Sequence, residues 1–367
     1  MDLKKINKKL YLYTGIGIGI VILLFLILFI VKLVIGNKVD FSGYELKMKN
    51  AAINYYKDNS ESLPTNDGGK ITVNISELVE KELLDLPSEI LKDETAICTG
   101  EVIISNNNGY YLYTPNLDCS ETYKTTFLYN QILQTEEIVS SSDGLYNMFN
   151  AYIYRGEKVN NYVKFANKTW RILRINGDNT IRLIEVDKRD TITWDDRYNS
   201  DSKTSDGIND FTISRIKDSL DEIYNNNNEF SDIDRSKIVS QNLCIGARNT
   251  EETSIDGSVE CSKTMNNEPL GLLQVNEYLL GSIDSKCTNT SSSECINYNY
   301  LALFERSFWT QTADTYRSFR VYKITDSTIV TKASGESSIK LVINLSSNTI
   351  YSSGDGTLNK PYTIKND

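Results

Sequence analysis

The feature that most constrains this chain is an apolar run near its start. No charged residue occurs in the 22 positions from Leu10 to Val31. A helix needs about 20 apolar residues to cross the hydrocarbon core of a bilayer, and at about 1.5 Å per residue this run is long enough. Four lysines precede it, and such an excess of positive charge is typical of the cytoplasmic side: Lys4, Lys5, Lys8 and Lys9.

The run is not typical of a cleaved signal peptide, whose apolar region has about 7–15 residues before a small-residue cleavage site. No such site follows here, and neither a lipobox cysteine nor a prepilin processing site is present. We therefore predict an uncleaved signal anchor, with a cytoplasmic tail at 1–13 and a transmembrane helix at 14–35. The expected location is the cell membrane, crossed once, with the bulk of the chain extracellular.

The composition excludes several functions. Lys and Arg number 39 and Asp and Glu number 49, a net charge of −10. This balance argues against a nucleic-acid partner, because nucleic-acid binders need a basic surface. The chain has no histidine, which removes the Ser-His-Asp and Cys-His arrangements and the His-bearing zinc motifs. Catalysis by carboxylates, Lys or Tyr stays open, but no residue pattern identifies a catalytic, metal or cofactor site.

The six cysteines all follow the apolar run: Cys98, Cys119, Cys244, Cys261, Cys287 and Cys295. An even number in an exported chain favours disulfide bonds, with 15 pairings for six cysteines. Because they fall into three local pairs, we predict bonds 98–119, 244–261 and 287–295. Metal ligation is disfavoured, since no C-x-x-C pair is present.

Two domains are expected beyond the anchor. The small α+β domain at 41–126 would contain two helices and a hairpin, because strand-like EVIIS and YYLYT flank the turn signal NNNG. A linker follows at 127–144, with SSSDG as the boundary. The larger domain at 145–367 is rich in strand-like runs and contains a polar segment without regular periodicity between 195 and 300.

The segment KTWRILRINGDNTIRLIEV (168–186) predicts a hairpin turning at NGDN. Counting with a period of two places Arg171 and Arg174 on opposite faces, and apolar residues occupy both faces of each strand. A nucleic-acid ribbon would instead gather its arginines on one exposed face. We interpret the hairpin as interior scaffold covered on both sides.

Four weaker signals are weighed. The adjacent Asp195 and Asp196 suit a metal or acid/base pair, but solvated loop charges are the favoured interpretation, since neighbours on a strand face opposite sides. GDGT at 354–357 suits calcium, but a turn before the last strand explains it better. The 23 tyrosines indicate either a binding face or AT-rich coding. Trp309 is expected in the core rather than on a ligand platform.

Five sequence motifs follow one another along the chain: NYVKF..KTWRILRI...TIRLI, GLLQVNEYLLG, SFWTQTA, IKLVINL and GDGTLNKPYTI. Together they resemble a domain of unknown function in anchored surface proteins of low-GC Gram-positive and wall-less gut bacteria, over about 145–367. Such domains are similar to the C-type-lectin-like fold shared with formylglycine-generating enzymes. The calcium and sugar motifs of true C-type lectins are absent, so neither that calcium site nor the enzyme's copper cysteines are carried over.

The segment 41–126 is similar to pilin-like stalk domains. The prediction is thus an α+β chain: a single N-terminal transmembrane helix, a small pilin-like domain and a larger β-rich C-type-lectin-like domain. Its expected function is that of a membrane-anchored, non-catalytic adhesin or binding module for an extracellular glycan or protein. The alternatives are an exported glycan-acting enzyme that uses carboxylates, or a minor component of a pilus or type II-secretion-like apparatus.

Overall fold

A computed structural model describes residues 40–88, 97–187, 189–304, 307–325 and 327–365. The tail predicted at 1–13 and the transmembrane helix predicted at 14–35 lie outside these ranges. The helices described are α1 (Phe41–Lys57), α2 (Ile75–Glu80), α3 (Leu128–Thr135), α4 (Arg215–Asn225), α5 (Asp232–Lys237) and α6 (Val275–Gly281).

The strands described are β1 (Lys70–Asn74), β2 (Thr99–Asn107), β3 (Tyr110–Asp118), β4 (Gly144–Met148), β5 (Ala151–Arg155), β6 (Tyr162–Phe165), β7 (Lys168–Asn176), β8 (Ile181–Glu185), β9 (Thr191–Thr193), β10 (Ile238–Val239), β11 (Gln241–Cys244), β12 (Thr264–Glu268), β13 (Phe308–Ala313), β14 (Arg320–Ile324), β15 (Thr328–Lys332), β16 (Glu336–Ser338), β17 (Val342–Leu345), β18 (Tyr351–Ser353) and β19 (Tyr362–Ile364).

The fold class predicted from the sequence is wrong, because the described chain is mainly β-sheet rather than α+β with a transmembrane helix. Short polar segments such as β9 and β12 complete sheets through backbone hydrogen bonds, which need no apolar alternation. Within the described ranges, no helix is long and apolar enough to cross a membrane. The longest, α1, has 17 residues and includes charged side chains. The same finding overturns the predicted cell-membrane location.

Helix α1 packs on an antiparallel three-stranded sheet of order β1–β2–β3. The helix buries Tyr44, Met48, Ala51 and Ala52 in the core of this small unit. The β2–β3 hairpin turns at Asn108 and Gly109, with φ of 55° and 85°, and positive φ at both central residues is typical of a two-residue hairpin turn. The hairpin is therefore where the sequence predicts it.

The predicted linker at 127–144 contains α3, which packs on the larger core. Leu128 and Ile132 of this helix are fully buried there. The backbone before the helix also joins the larger part of the chain, since Phe127 forms a β-bridge with Ile350. The segment is thus held in place rather than extended between two bodies.

A nine-stranded sheet forms the centre of the larger part, with the path β10–β17–β8–β7–β6–β19–β18 and with β5 and β4 branching from β7. The C-terminal β19 lies parallel to β6. The larger part also contains a five-stranded sheet of order β15–β14–β13–β16–β9 and the two-stranded β11–β12 pair. Trp170, Trp194 and Trp309 are fully buried in the shared core.

The small unit contacts the larger part through polar groups. The side-chain amide of Asn107 donates to the Ser236 carbonyl, and that of Asn348 donates to the Ser105 hydroxyl at 2.9 Å. Lys365, just after the last strand, forms an ion pair with the buried Glu45 of α1. These contacts fix the hairpin tip and helix α1 against the larger sheet.

Candidate functional site

A cleft of about 510 Å³ opens over neighbouring strands β5, β7, β8 and β17 of the nine-stranded sheet. Its walls are the β4–β5 and β7–β8 turns, the start of β11, the segment 256–261 and the first turns of α6. Most of its lining side chains carry amide, guanidinium, hydroxyl or carboxylate groups. A typical small-molecule pocket is mainly apolar with a few polar groups, so this cleft is suited to an unusually polar ligand.

Two arginines form the floor of the cleft. Arg174 of β7 lies directly opposite Arg182 of β8, next to the pair of Ile175 and Ile181 on the side of the turn. Residues directly opposite each other on antiparallel strands lie on the same face of the sheet. The guanidinium groups of Arg174 and Arg182 therefore share one face of the sheet.

Glu277, in the first turn of α6, lies between the two guanidinium groups. Arg182 Nε donates to its Oε1 at 2.5 Å, and Arg182 Nη2 donates to its Oε2 at 3.2 Å. Arg174 Nη1 also donates to Oε1. The Gln274 backbone N–H donates to Oε2 at 3.0 Å, which is half of a capping box. One carboxylate thus joins two strands of the sheet to the start of a helix.

The electrostatics of Glu277 follow from this position. Burial alone would raise the pKa of its carboxyl, but the positive charges of Arg182 and then Arg174 outweigh it and lower the pKa to about 2. Glu277 is therefore a carboxylate at any physiological pH. Burial lowers the pKa of Arg174 despite its contact with Glu277.

Two amide oxygens in the wall have no hydrogen-bond partner. Asn276 Oδ1 and Asn344 Oδ1 are both buried and make no hydrogen bond within the described residues, and both residues line the cleft. A buried acceptor without a donor is costly. The two unmade hydrogen bonds mark this part of the cleft wall as a candidate binding site.

A buried ion pair holds Asn276 in place. Arg248 Nη1 donates to Glu260 Oε1 at 2.9 Å, and the Asn276 backbone N–H donates to the same oxygen at 3.1 Å. Burial raises the pKa of Glu260, against the opposing effect of Arg248. The carboxylate is fully buried, so its role here is to position the start of α6.

The structure contains disulfide bonds, as predicted, and joins the cysteines in neighbour order: Cys98–Cys119, Cys244–Cys261 and Cys287–Cys295. The bond Cys244–Cys261 is part of the cleft wall. It connects the end of β11 to the turn that carries Glu260, and so supports the side of the cleft that holds Asn276. No motif in the sequence indicates that this bond lies at a site.

The adjacent aspartates of TWDDR have unlike environments. Asp195 is fully buried, whereas Asp196 is exposed and pairs with Arg215. Asp195 accepts hydrogen bonds from the backbone N–H groups of Arg197 and Ile208, at 3.1 and 2.9 Å. Hydrogen bonds with Arg197 and Ile208 lower its pKa although burial opposes them. The favoured interpretation of solvated loop charges is therefore wrong for Asp195, which organises its loop.

The other weak signals have structural explanations. Asp355 of GDGT accepts from the Thr357 backbone N–H and hydroxyl at 3.2 and 2.8 Å, which is a turn. Trp309 is fully buried, as expected, and its indole N–H donates to the Ile192 carbonyl at 2.8 Å. In the described part of the chain, no group of three or more His, Cys, Asp or Glu side chains is arranged to hold a metal ion.

Comparison with protein-family models, curated proteins and solved structures finds no match for this chain. The resemblance to anchored surface proteins is therefore still an expectation.

Proposed function

We propose that this protein is a non-catalytic binding protein of an oxidising compartment, and that its polar cleft holds a hydroxyl-rich ligand, as a glycan is. The observation that carries the proposal is the pair of buried, unpartnered oxygens at Asn276 and Asn344. Both are acceptors, and a sugar supplies several hydroxyl donors on one small ring. The three disulfide bonds favour an oxidising compartment.

Binding is favoured over glycan hydrolysis by the carboxylates of the cleft. A glycosidase needs a general acid whose pKa is raised. Two carboxylates line this cleft in the described ranges, Asp178 and Asp256. Hydrogen bonds from Ser258 lower the pKa of Asp256 to about 2. Asp178 Oδ1 accepts from the backbone N–H and hydroxyl of Thr180 in its own turn, so this carboxylate already has a structural role.

The test is a glycan-binding screen of the full chain, followed by titration of the best ligand against three variants. Asn276→Ala and Asn344→Ala each remove one unpartnered oxygen and should weaken binding by about tenfold. Asn359→Ala is the matched control, because Asn359 is exposed and outside the cleft. The proposal fails if no glycan binds, or if binding is unaffected by both cleft variants.

The same variants separate a binding role from a structural one. Neither cleft asparagine uses its Oδ1 to stabilise the fold. Removing a buried acceptor that lacks a donor should leave the melting temperature unchanged or raise it. Loss of binding with unchanged or improved stability is therefore the expected signature. Loss of both together would show that the asparagines support the fold.

A further inference from the structure

The floor of the cleft carries an unbalanced positive charge. Arg174 and Arg182 lie side by side and share one carboxylate, that of Glu277. Like charges directly opposite on neighbouring strands destabilise a sheet, and one acid neutralises one of the two. Asp178 and Asp256 also line the cleft, so the positive charge is local to this floor, where it is complementary to a single anionic group on a ligand.

Arg174 is the arginine that is available to a ligand. All three guanidinium nitrogens of Arg182 are engaged, by Glu277 and by Gln241, and its side chain is 3% exposed. The side chain of Arg174 is 26% exposed. Its Nε donates to Asn176 and its Nη1 donates to Glu277, whereas its Nη2 makes no hydrogen bond among the described residues. A planar guanidinium with free N–H groups is well suited to a carboxylate.

The surroundings of Arg174 favour a small acidic ring over an extended acidic peptide. The unpartnered Asn276 and Asn344 require donors, which sugar hydroxyls supply. Phe149 is half exposed at the lip of the cleft, where the C–H face of a sugar ring can pack. A carboxylated sugar carries the acid, the hydroxyls and the apolar face on one ring.

Building on the proposed function, we infer that the cleft selects sugars bearing a carboxylate, which pairs with Arg174 while ring hydroxyls donate to Asn276 and Asn344. No covalent step is involved. Asp178, which also lines the cleft, opposes an acidic ligand. It therefore gives a second variant with an effect of the opposite sign.

The ligand experiment compares galacturonic acid with its methyl ester by titration calorimetry on the full chain. The two differ by the charge of one group, so shape and hydroxyls are matched. Glucuronic acid and N-acetylneuraminic acid extend the acidic set, and galactose and N-acetylglucosamine extend the neutral set. We expect the acids to bind about ten- to a hundredfold more tightly than the ester or neutral sugars, and added salt to weaken this preference.

The protein experiment uses three variants. Arg174→Gln should remove the preference for the acid over the ester, because it removes the cation. Asp178→Asn should strengthen binding of the acid severalfold, since it removes a repelling charge and keeps an oxygen for Thr180. Arg215→Gln is the control: it changes the net charge as Arg174→Gln does, but its exposed pair with Asp196 is outside the cleft.

The outcomes separate this inference from the proposed function. Equal binding of acid and ester, unchanged in Arg174→Gln, overturns the carboxylate assignment and leaves a glycan-binding cleft. Failure of every sugar to bind overturns both. Binding of an acidic peptide, such as a short oligoglutamate, in preference to the sugars would assign the cation to a protein ligand and overturn the sugar assignment. Arg174→Gln is expected to stay folded, because Arg182 and Glu277 then form a one-to-one pair.

Discussion

Arg174 and Arg182 lie directly opposite each other on adjacent strands, with a single carboxylate, Glu277, between their guanidinium groups. Two cations at such a position repel each other, and burial raises the energetic cost of that repulsion. The arrangement is stable because α6 places the Glu277 carboxylate between the two guanidinium groups. The floor of the polar cleft is therefore also a junction between the central sheet and a helix.

Glu277→Gln should destabilise the protein strongly. It leaves two guanidinium groups opposite each other with no counter-charge, and breaking a buried ion pair by removing one partner costs about 3–5 kcal/mol. Urea-induced unfolding of the variant against the parent measures this loss. Asp196→Asn is the control: its pair with Arg215 is exposed, and exposed pairs contribute little. An equal loss of unfolding free energy in the two variants would show that the buried ion pairs of Glu277 contribute no more stability than the exposed pair.

The same carboxylate should make stability depend on pH in the acid range. The pKa of Glu277 is lowered to about 2 in the folded protein, against about 4.3 for an unfolded Glu. A depressed pKa contributes stability that is present above the unfolded value and is lost as pH falls through the folded one. The free-energy difference between parent and Glu277→Gln should therefore shrink by about 3 kcal/mol from pH 5 to pH 2. Parallel stability curves of the two proteins would contradict this assignment.

The sequence predicted those elements whose interacting residues are close together along the chain. The turn signal at Asn108–Gly109 gave the β2–β3 hairpin, and NGDN gave the β7–β8 hairpin. The neighbour order of the cysteines matches the pairs in the structure. In each case the partners are close in sequence, so turn geometry fixes them without the rest of the fold.

The cleft was missed because its parts meet only through the tertiary fold. Glu277 follows Arg182 by 95 residues, and no period or motif connects them. A register shift on β7 between Ile172 and Arg174 is also not visible in the sequence, so strict alternation placed Arg171 and Arg174 on opposite faces. Among the apolar residues of α1, Ala51, Ala52 and Tyr56 are buried, whereas Leu46 and Ile53 are exposed. Contact with the sheet, rather than hydropathy alone, set that face.

The disulfide in the cleft wall should matter for binding as well as stability. Replacing Cys244 and Cys261 by Ser opens a loop whose ends are 17 residues apart, a loss of about 3 kcal/mol on the chain-entropy model. The control replaces Cys287 and Cys295, which close a shorter loop away from the cleft. Thermal unfolding should show losses of similar size in the two double variants, while sugar titration should show weaker binding in the first alone. Unchanged affinity after loss of Cys244–Cys261 would show that the wall needs no covalent support.

Trp309→Ala should be among the most destabilising single changes in the larger core. The side chain is fully buried within that core, and its indole N–H donates to the Ile192 carbonyl, which joins β13 to the segment containing β9. Truncating a buried Trp costs about 3–5 kcal/mol, a large share of the roughly 5–15 kcal/mol that keeps a domain folded. Trp309→Phe keeps most of the apolar volume and loses the hydrogen bond, so it should cost less. Calorimetric melting of both variants measures the difference in stability. Because the cleft is formed by other residues, a Trp309→Ala protein that remains folded should bind the ligand as the parent does. A variant that melts like the parent but no longer binds would instead make Trp309 part of a ligand site on β13.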